Sequence, residues 1–250
     1  MSATSAARTE AARSAPATRS LGWRVRGGTL LFPPVVGIGI VNATSDSFFS
    51  GARSGTPERA VEDGMALVRE GFDMLDVGAV AARSGPPVPA AEEAARLVPA
   101  IEALARDSGV PVLADTFSAE VAARAIEAGA AAINDISGAA DPALIEVVAA
   151  SGCGYVLTQM DGPPRIDRER PPRADVLGEL REWFARKLGQ LADAGVDPER
   201  VTLDPGFDFD LSVDDDLELL RRLGELRELG RPLFVALSRK DFLGALAAGS

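Results

Sequence analysis

The sequence predicts an α/β protein of the (β/α)8 TIM-barrel class, and three observations carry that prediction. Helix-period and strand-period segments alternate along the 250 residues, which requires a parallel sheet with helical crossovers. Helical patterns end in glycine, at Gly71, Gly109, Gly129, Gly152, Gly195 and Gly230, where a helix C′ residue takes positive φ before the chain turns back. Nearly every strand pattern then closes on a polar residue, and in a parallel barrel all those ends meet at one rim. A doubly wound sheet is the competing arrangement, but no GxGxxG follows the first strand.

Taken in order, Met1 to Ser20 is rich in Ala, Ser, Thr and Arg without apolar periodicity, and reads as a disordered tail preceding one large domain over residues 21–250. Leu21 to Phe32 alternates apolar and polar residues around Gly27-Gly28, a short hairpin that would cap the start of the fold. Val36 to Ala52, VGIGIVNATSDSFFSGA, runs an apolar strand straight into Asn42 and a Ser/Thr/Asp-rich loop, the place where α/β folds hold ligands. Strands are expected at Val35–Val41, Met74–Val77, Val112–Asp115, Ala132–Asp135, Tyr155–Gln159, Val201–Asp204 and Leu233–Leu237. Between them, Glu58–Glu70, Ala90–Arg106, Ala119–Ala128, Pro142–Ala150, Asp175–Ala194 and Val213–Leu229 show apolar residues at helical spacing. Seven βα strands are therefore readable, and the eighth unit of a barrel is expected to be absent from this chain.

Composition excludes much chemistry. The chain has no histidine, which removes Ser-His-Asp and Cys-His machinery, imidazole acid/base catalysis and nearly all common zinc sites. The single Cys153 allows no internal disulfide and no multi-thiolate metal site. A net charge of −11 argues against a nucleic-acid partner. No apolar run approaches the ~20 residues of a membrane span, and no secretory h-region is present, so the expected setting is cytoplasmic.

On a barrel, Asn42, Asp76, Arg83, Asp115, Asn134, Gln159, Asp204, Ser238, Arg239 and Lys240 would converge on one mouth. Singly, each has a structural explanation: Asp or Asn after a strand is often a helix cap, Asp204-Pro205-Gly206 is a turn, and Arg239-Lys240 a solvated helix start. Together, amides, carboxylates and a lysine suit a polar heterocycle carrying donors and acceptors, with Arg and Lys available for an anionic group.

These segments resemble the dihydropteroate synthases, pterin-binding TIM barrels of folate biosynthesis. GIVNATSDSF is similar to the family's first signature and DVGAVAARSG stands in place of its second. ADTFSAEVA, INDISG, DPG and SRKDFLG match the later strand ends, so that the resemblance covers Pro34 to Gly244. It implies condensation of 6-hydroxymethyl-7,8-dihydropterin pyrophosphate with p-aminobenzoate to 7,8-dihydropteroate. It also implies a ring held by Asp115, Asn134, Asp204 and Lys240 with Phe209 near its plane, and Ser238 and Arg239 among the substrate-binding residues. Asn42 resembles the amide that helps hold Mg²⁺ and the pyrophosphate, and Arg83 the loop arginine that approaches the same anion. Asp115 would stabilise positive charge developing on the pterin, with Lys240 and Arg83 beside it in catalysis. The family's usual assembly is a homodimer.

The chain also departs from the family pattern. Ala82 replaces a threonine and Val80-Ala81 a Glu-Ser pair; Ser45 and Ser50-Gly51-Ala52 alter the first loop; Gln159 stands for a histidine. Asp208-Phe209-Asp210-Leu211 stands where the family has G-F-G-K, so a lysine is lost and two acids arrive, and Asp241 adds a further acid after Lys240. The family's eighth-strand Arg-x-His is expected beyond Ser250. A catalytically impaired pterin-binding paralogue and a methyltetrahydrofolate-type methyltransferase are the alternatives.

Overall fold

Leu21–Val25 (β1) and Gly28–Phe32 (β2) form the expected hairpin, antiparallel with Leu21 opposite Phe32. The computed structural model describes residues 21–32, 35–43, 56–82, 85–166 and 168–248. The predicted tail at 1–20, most of the first loop at 44–55, and Arg83 lie outside the described residues.

Six parallel strands follow in sequence order across one sheet: Ile38–Asn42 (β3), Met74–Gly78 (β4), Val112–Asp115 (β5), Ala132–Asp135 (β6), Gly154–Thr158 (β7) and Val201–Asp204 (β8). Helices Pro57–Arg69 (α1), Ala90–Asp107 (α2), Ala119–Glu127 (α3), Pro142–Ser151 (α4), Val176–Asp193 (α5), Val213–Arg222 (α6) and Asp241–Ala248 (α7) alternate with them. Side-chain caps set several starts: Thr56, Ser118, Asp141 and Asp175 each accept a backbone N–H from the first turn, satisfying donors that a helix leaves open. The six helix-ending glycines all have positive φ.

Two expectations need correction. Leu233–Leu237 is not a strand among the described residues; a single parallel bridge joins Leu203 to Leu233. Around it the Leu203 N–H donates to the Pro232 carbonyl and the Phe234 N–H to the Leu203 carbonyl. Pro232 has no N–H to contribute, so the ladder does not extend backwards. The helix expected over Val213–Leu229 ends its α portion at Arg222 and continues as a 3₁₀ segment, Leu223–Leu229. Gly224, a poor helix former, sits where the geometry tightens.

The sheet separates two apolar clusters. Leu75, Val77, Ala114, Ile133, Tyr155, Leu157, Val201 and Leu203 face outward against the helices. Met74, Leu113, Ala132, Val156 and Phe234 face inward, where they meet Trp23 and Val25 of the hairpin. The hairpin thus stoppers the N-terminal end of the strands. Trp23 Nε1 donates to the Arg200 carbonyl at 2.8 Å, and a side chain at Gly154 would collide with Val25 Cγ1 at 2.8 Å.

Candidate functional site at the strand C-termini

Parallel pairing puts laterally matched residues on the same face of the sheet, so register decides which polar side chains enter the interior. Asn42 matches Gly78, Gly78 matches Asp115, and Asp115 matches Asn134. Asn134 matches Val156, an inward residue, and Thr158 matches Asp204 two positions higher. Asn42, Asp76, Asp115, Asn134, Thr158 and Asp204 therefore share the inner face above the apolar layer. Gly78 leaves room for Asp115, since a Cβ there would stand 3.1 Å from Asp115 Oδ2.

Several of these buried groups lack protein partners. Asn134 Nδ2 donates to Asp76 Oδ2 at 2.9 Å, yet Asn134 Oδ1, Asp76 Oδ1 and Thr158 Oγ1 have no hydrogen bond. Gln159, expected at the mouth, instead shares the outward parity of Leu157 and lies beside Leu180 and Trp183 of α5, because a one-residue step along a strand changes face. A folded interior rarely tolerates that many orphaned polar atoms unless a ligand or water completes them. Burial pushes Asp76 up to about 7, opposed by the Asn134 amide and reinforced by the Asp204 charge. Asp204 is pushed up to about 6 by burial, with the Gly206 N–H, at 2.9 Å from its Oδ1, and the Lys240 charge pulling the other way. Asp115 is raised well above the ordinary carboxylate range by burial and by the charges of Asp76, Glu93 and Asp135, with Lys240 opposing. One ammonium thus faces several carboxylates that favour their protonated forms.

Lys240 and Phe209 arrive from loops rather than strands. Lys240 Nζ lies 4.2 Å from the centre of the Phe209 ring, a cation–π contact that puts both at the same part of the rim. Gly206 makes this possible: its φ is +76°, and a Cβ would land on the Gln159 carbonyl oxygen. Ser238 and Arg239 sit in the exposed turn before α7, Arg239 with φ of +57°, and Asn42 ends β3. Structural contact thus joins Asn134 to Asp76 and Lys240 to Phe209, and electrostatics join Asp115, Asp204 and Lys240.

Register also shows what residue types alone do not. Asp135 points outward, accepting the Tyr155 hydroxyl at 2.5 Å and the Ser137 and Ala139 N–H groups at 2.7 and 3.2 Å, and so shapes the loop after β6. Thr158 was not expected among the site residues. Its inward parity with Val156, two residues earlier, comes from the register and not from the residues.

A barrel-class α/β fold, stoppered at one end and lined at the other by unsatisfied donors, acceptors and titratable carboxylates, defines a mouth site for a polar heterocycle. Residues 38–250 match the family model described as Pterin binding enzyme. The chain belongs to this pterin-binding family, on the branch of the dihydropteroate synthases. It is 39% identical over 227 residues to the dihydropteroate synthase of Mycobacterium leprae, covering 87% of this chain and 77% of that one. The structure of Xanthomonas albilineans dihydropteroate synthase with 4-aminobenzoic acid superposes with a TM-score of 0.83 at 36% identity, covering 92% of this chain and 83% of that one. The same enzyme in complex with 7,8-dihydropteroate gives a TM-score of 0.79 at 35% identity, over 92% and 82%. Among the described residues, no helix is long and apolar enough to cross a membrane.

Proposed function

We propose that the chain is a dihydropteroate synthase, condensing 6-hydroxymethyl-7,8-dihydropterin pyrophosphate with p-aminobenzoate in folate biosynthesis. The observation that carries this is the set of orphaned atoms at the mouth, Asp76 Oδ1, Asn134 Oδ1 and Thr158 Oγ1, beside Asp115, Asp204 and Lys240. A dihydropterin edge alternates amino, ring N–H, ring nitrogen and carbonyl groups, so carboxylates can accept where it donates and Lys240 can donate to its carbonyl or ring nitrogen. Phe209 offers its ring beside the pterin plane. The names of the relatives favour the synthase over a methyltransferase.

The carbon–oxygen bond to pyrophosphate breaks with its electron pair leaving on oxygen, and the cation left at the pterin methylene spreads into the ring. The aminobenzoate nitrogen attacks that methylene carbon, and the new ammonium loses its extra proton to solvent. Asp115, ionised by the approach of this centre, stabilises positive charge spreading into the ring. Asn42 and Arg83 serve the departing anion, and Ser238 and Arg239 at the exposed turn flank the entry of p-aminobenzoate. Mg²⁺ would supply charge neutralisation at the pyrophosphate. Among the described residues no group of three or more His, Cys, Asp or Glu could hold a metal. The amide oxygen of Asn42 is a hard ligand that fits an ion carried mainly by phosphate oxygens, as Mg²⁺ commonly is. The family's homodimer and a cytoplasmic setting complete the proposal.

Dihydropteroate formation by the whole chain with Mg²⁺ and both substrates tests it. Turnover supports the synthase. Pterin binding by calorimetry without turnover leaves the impaired paralogue, and absence of both overturns the pterin site.

A further inference from the structure

We propose that Asp208 and Asp210 are positioning residues that, with Arg170 and Arg168, clamp the β7–α5 connection onto the rim and thereby set Phe209 and Lys240. By sequence these acids look harmful, since Asp208-Phe209-Asp210-Leu211 stands where the resemblance implies G-F-G-K, losing a lysine and adding two negative charges. The structure gives each acid a cation from the same chain. Arg168 Nη1 donates to Asp210 Oδ1 at 2.5 Å. Arg170 Nη1 donates to the Asp208 carbonyl at 3.2 Å and lies 3.8 Å from its Oδ1. Arginines two apart meet acids two apart, so the pairing has a single register. Both carboxylates are largely buried, with side-chain exposure of 6% for Asp208 and 9% for Asp210, and a buried carboxylate is stable only when paired.

Each acid also accepts a backbone N–H from another element: Asp210 from Asp161 at 2.7 Å, Asp208 from Asp241 at 2.8 Å. Two residues thus tie together the β7–α5 connection, the loop after β8 and the first residue of α7. The proposed ring contacts lie inside this tie. Phe209 stands between the two acids, and Lys240 immediately precedes Asp241. Arg165 of the same connection also donates to the Pro86 carbonyl, in the loop after β4, at 2.6 Å, which gives the strap a further attachment. Site residues carried on loops need such supporting contacts to hold their geometry.

The test, which rests on the pterin site proposed above, compares Asp210→Asn, Arg168→Gln and the reciprocal double variant Asp210→Arg with Arg168→Asp in the whole chain. Pterin affinity by calorimetry, kcat with KM for each substrate, thermal midpoint and trypsin cleavage of the strap after Arg165, a site that all the chains share, are read together. Losing one charged hydrogen bond should weaken pterin binding and raise its KM about tenfold. KM for p-aminobenzoate should stay within about twofold, and the reciprocal variant should recover part of the affinity, since an arginine at 210 restores the ion pair but cannot accept the Asp161 N–H. A fall in thermal midpoint with unchanged pterin affinity and KM overturns the positioning role, as does absence of rescue. If the unsubstituted chain binds no pterin, it is the site assignment that fails. Strap cleavage then decides the clamp alone: faster cleavage in Asp210→Asn than in the unsubstituted and reciprocal chains upholds it, and equal cleavage overturns it.

Discussion

Asp76 and Asp204 carry the clearest consequence at the scale of single residues. Burial holds them at about 7 and about 6, against 3.8 for an ordinary aspartate. Between those values the native chain keeps protons that the unfolded chain has released. The stabilising contribution is therefore fully present below pH 3.8 and is lost as pH rises through 6 and then 7. Each proton gives a slope of about 1.4 kcal/mol per pH unit, so the ligand-free protein should lose a few kcal/mol across that window. Asp76→Asn should flatten the decline in thermal midpoint measured from pH 4 to 8, and an unchanged slope would show that Asp76 is not the group titrating. Ring donors that pair with the Asp204 carboxylate favour its ionised form, so pterin binding near pH 6 should release a proton. Calorimetry in two buffers of different ionisation enthalpy measures it. Asn134→Ala strands Asp76 without its amide and should weaken pterin binding by more than tenfold, on the cost of about 1–3 kcal/mol for an unpaired buried group.

At the scale of elements, the turn Asp204-Pro205-Gly206 and the hairpin do the placing. Gly206→Ala forces a Cβ into the Gln159 carbonyl at positive φ and should cost roughly 2–4 kcal/mol of stability by denaturant unfolding. Trp23→Ala opens a cavity beneath the inner apolar layer and should cost roughly 3–5 kcal/mol in the same assay. Helix, glycine and strand were legible in the residues because 3.6-period patterns and left-handed turns leave local marks. What was not legible depends on partners far along the chain. Strands of a parallel sheet are apolar on both faces, so the inward parity of Thr158 and the outward parity of Asp135 emerge only with register. Leu233–Leu237 has the composition of a strand, but it gains one bridge rather than a ladder. Arg168 and Asp210 are 42 residues apart, and Arg170 and Asp208 are 38 apart; no local pattern announces that the acids replacing glycines already have their cations. Asp115, Asn134 and Asp204 were readable as polar strand ends, whereas the connection proposed to clamp Phe209 and Lys240 meets its acids only in the folded chain.

Over the whole molecule, charge and apolarity are sorted along the strand axis. Trp23, Val25, Met74, Leu113, Val156 and Phe234 fill one end, and Asp115, Asp204 and Lys240 occupy the other. That sorting gathers the polar groups of a chain of net charge −11 at one rim, where the local potential set by Lys240 and its carboxylates, rather than the overall sum, governs encounter with an anionic substrate. It also directs traffic. Among the described residues the hairpin bars the floor, so whatever sits deepest leaves toward the rim, through the space of anything stacked above it. The pterin should be first in and the product the last out, a queue rather than a crossroads. Initial-rate kinetics should accordingly show p-aminobenzoate binding only after the pterin pyrophosphate, and dihydropteroate should inhibit competitively against the pterin substrate. Random addition of the two substrates would mean that the stopper leaks.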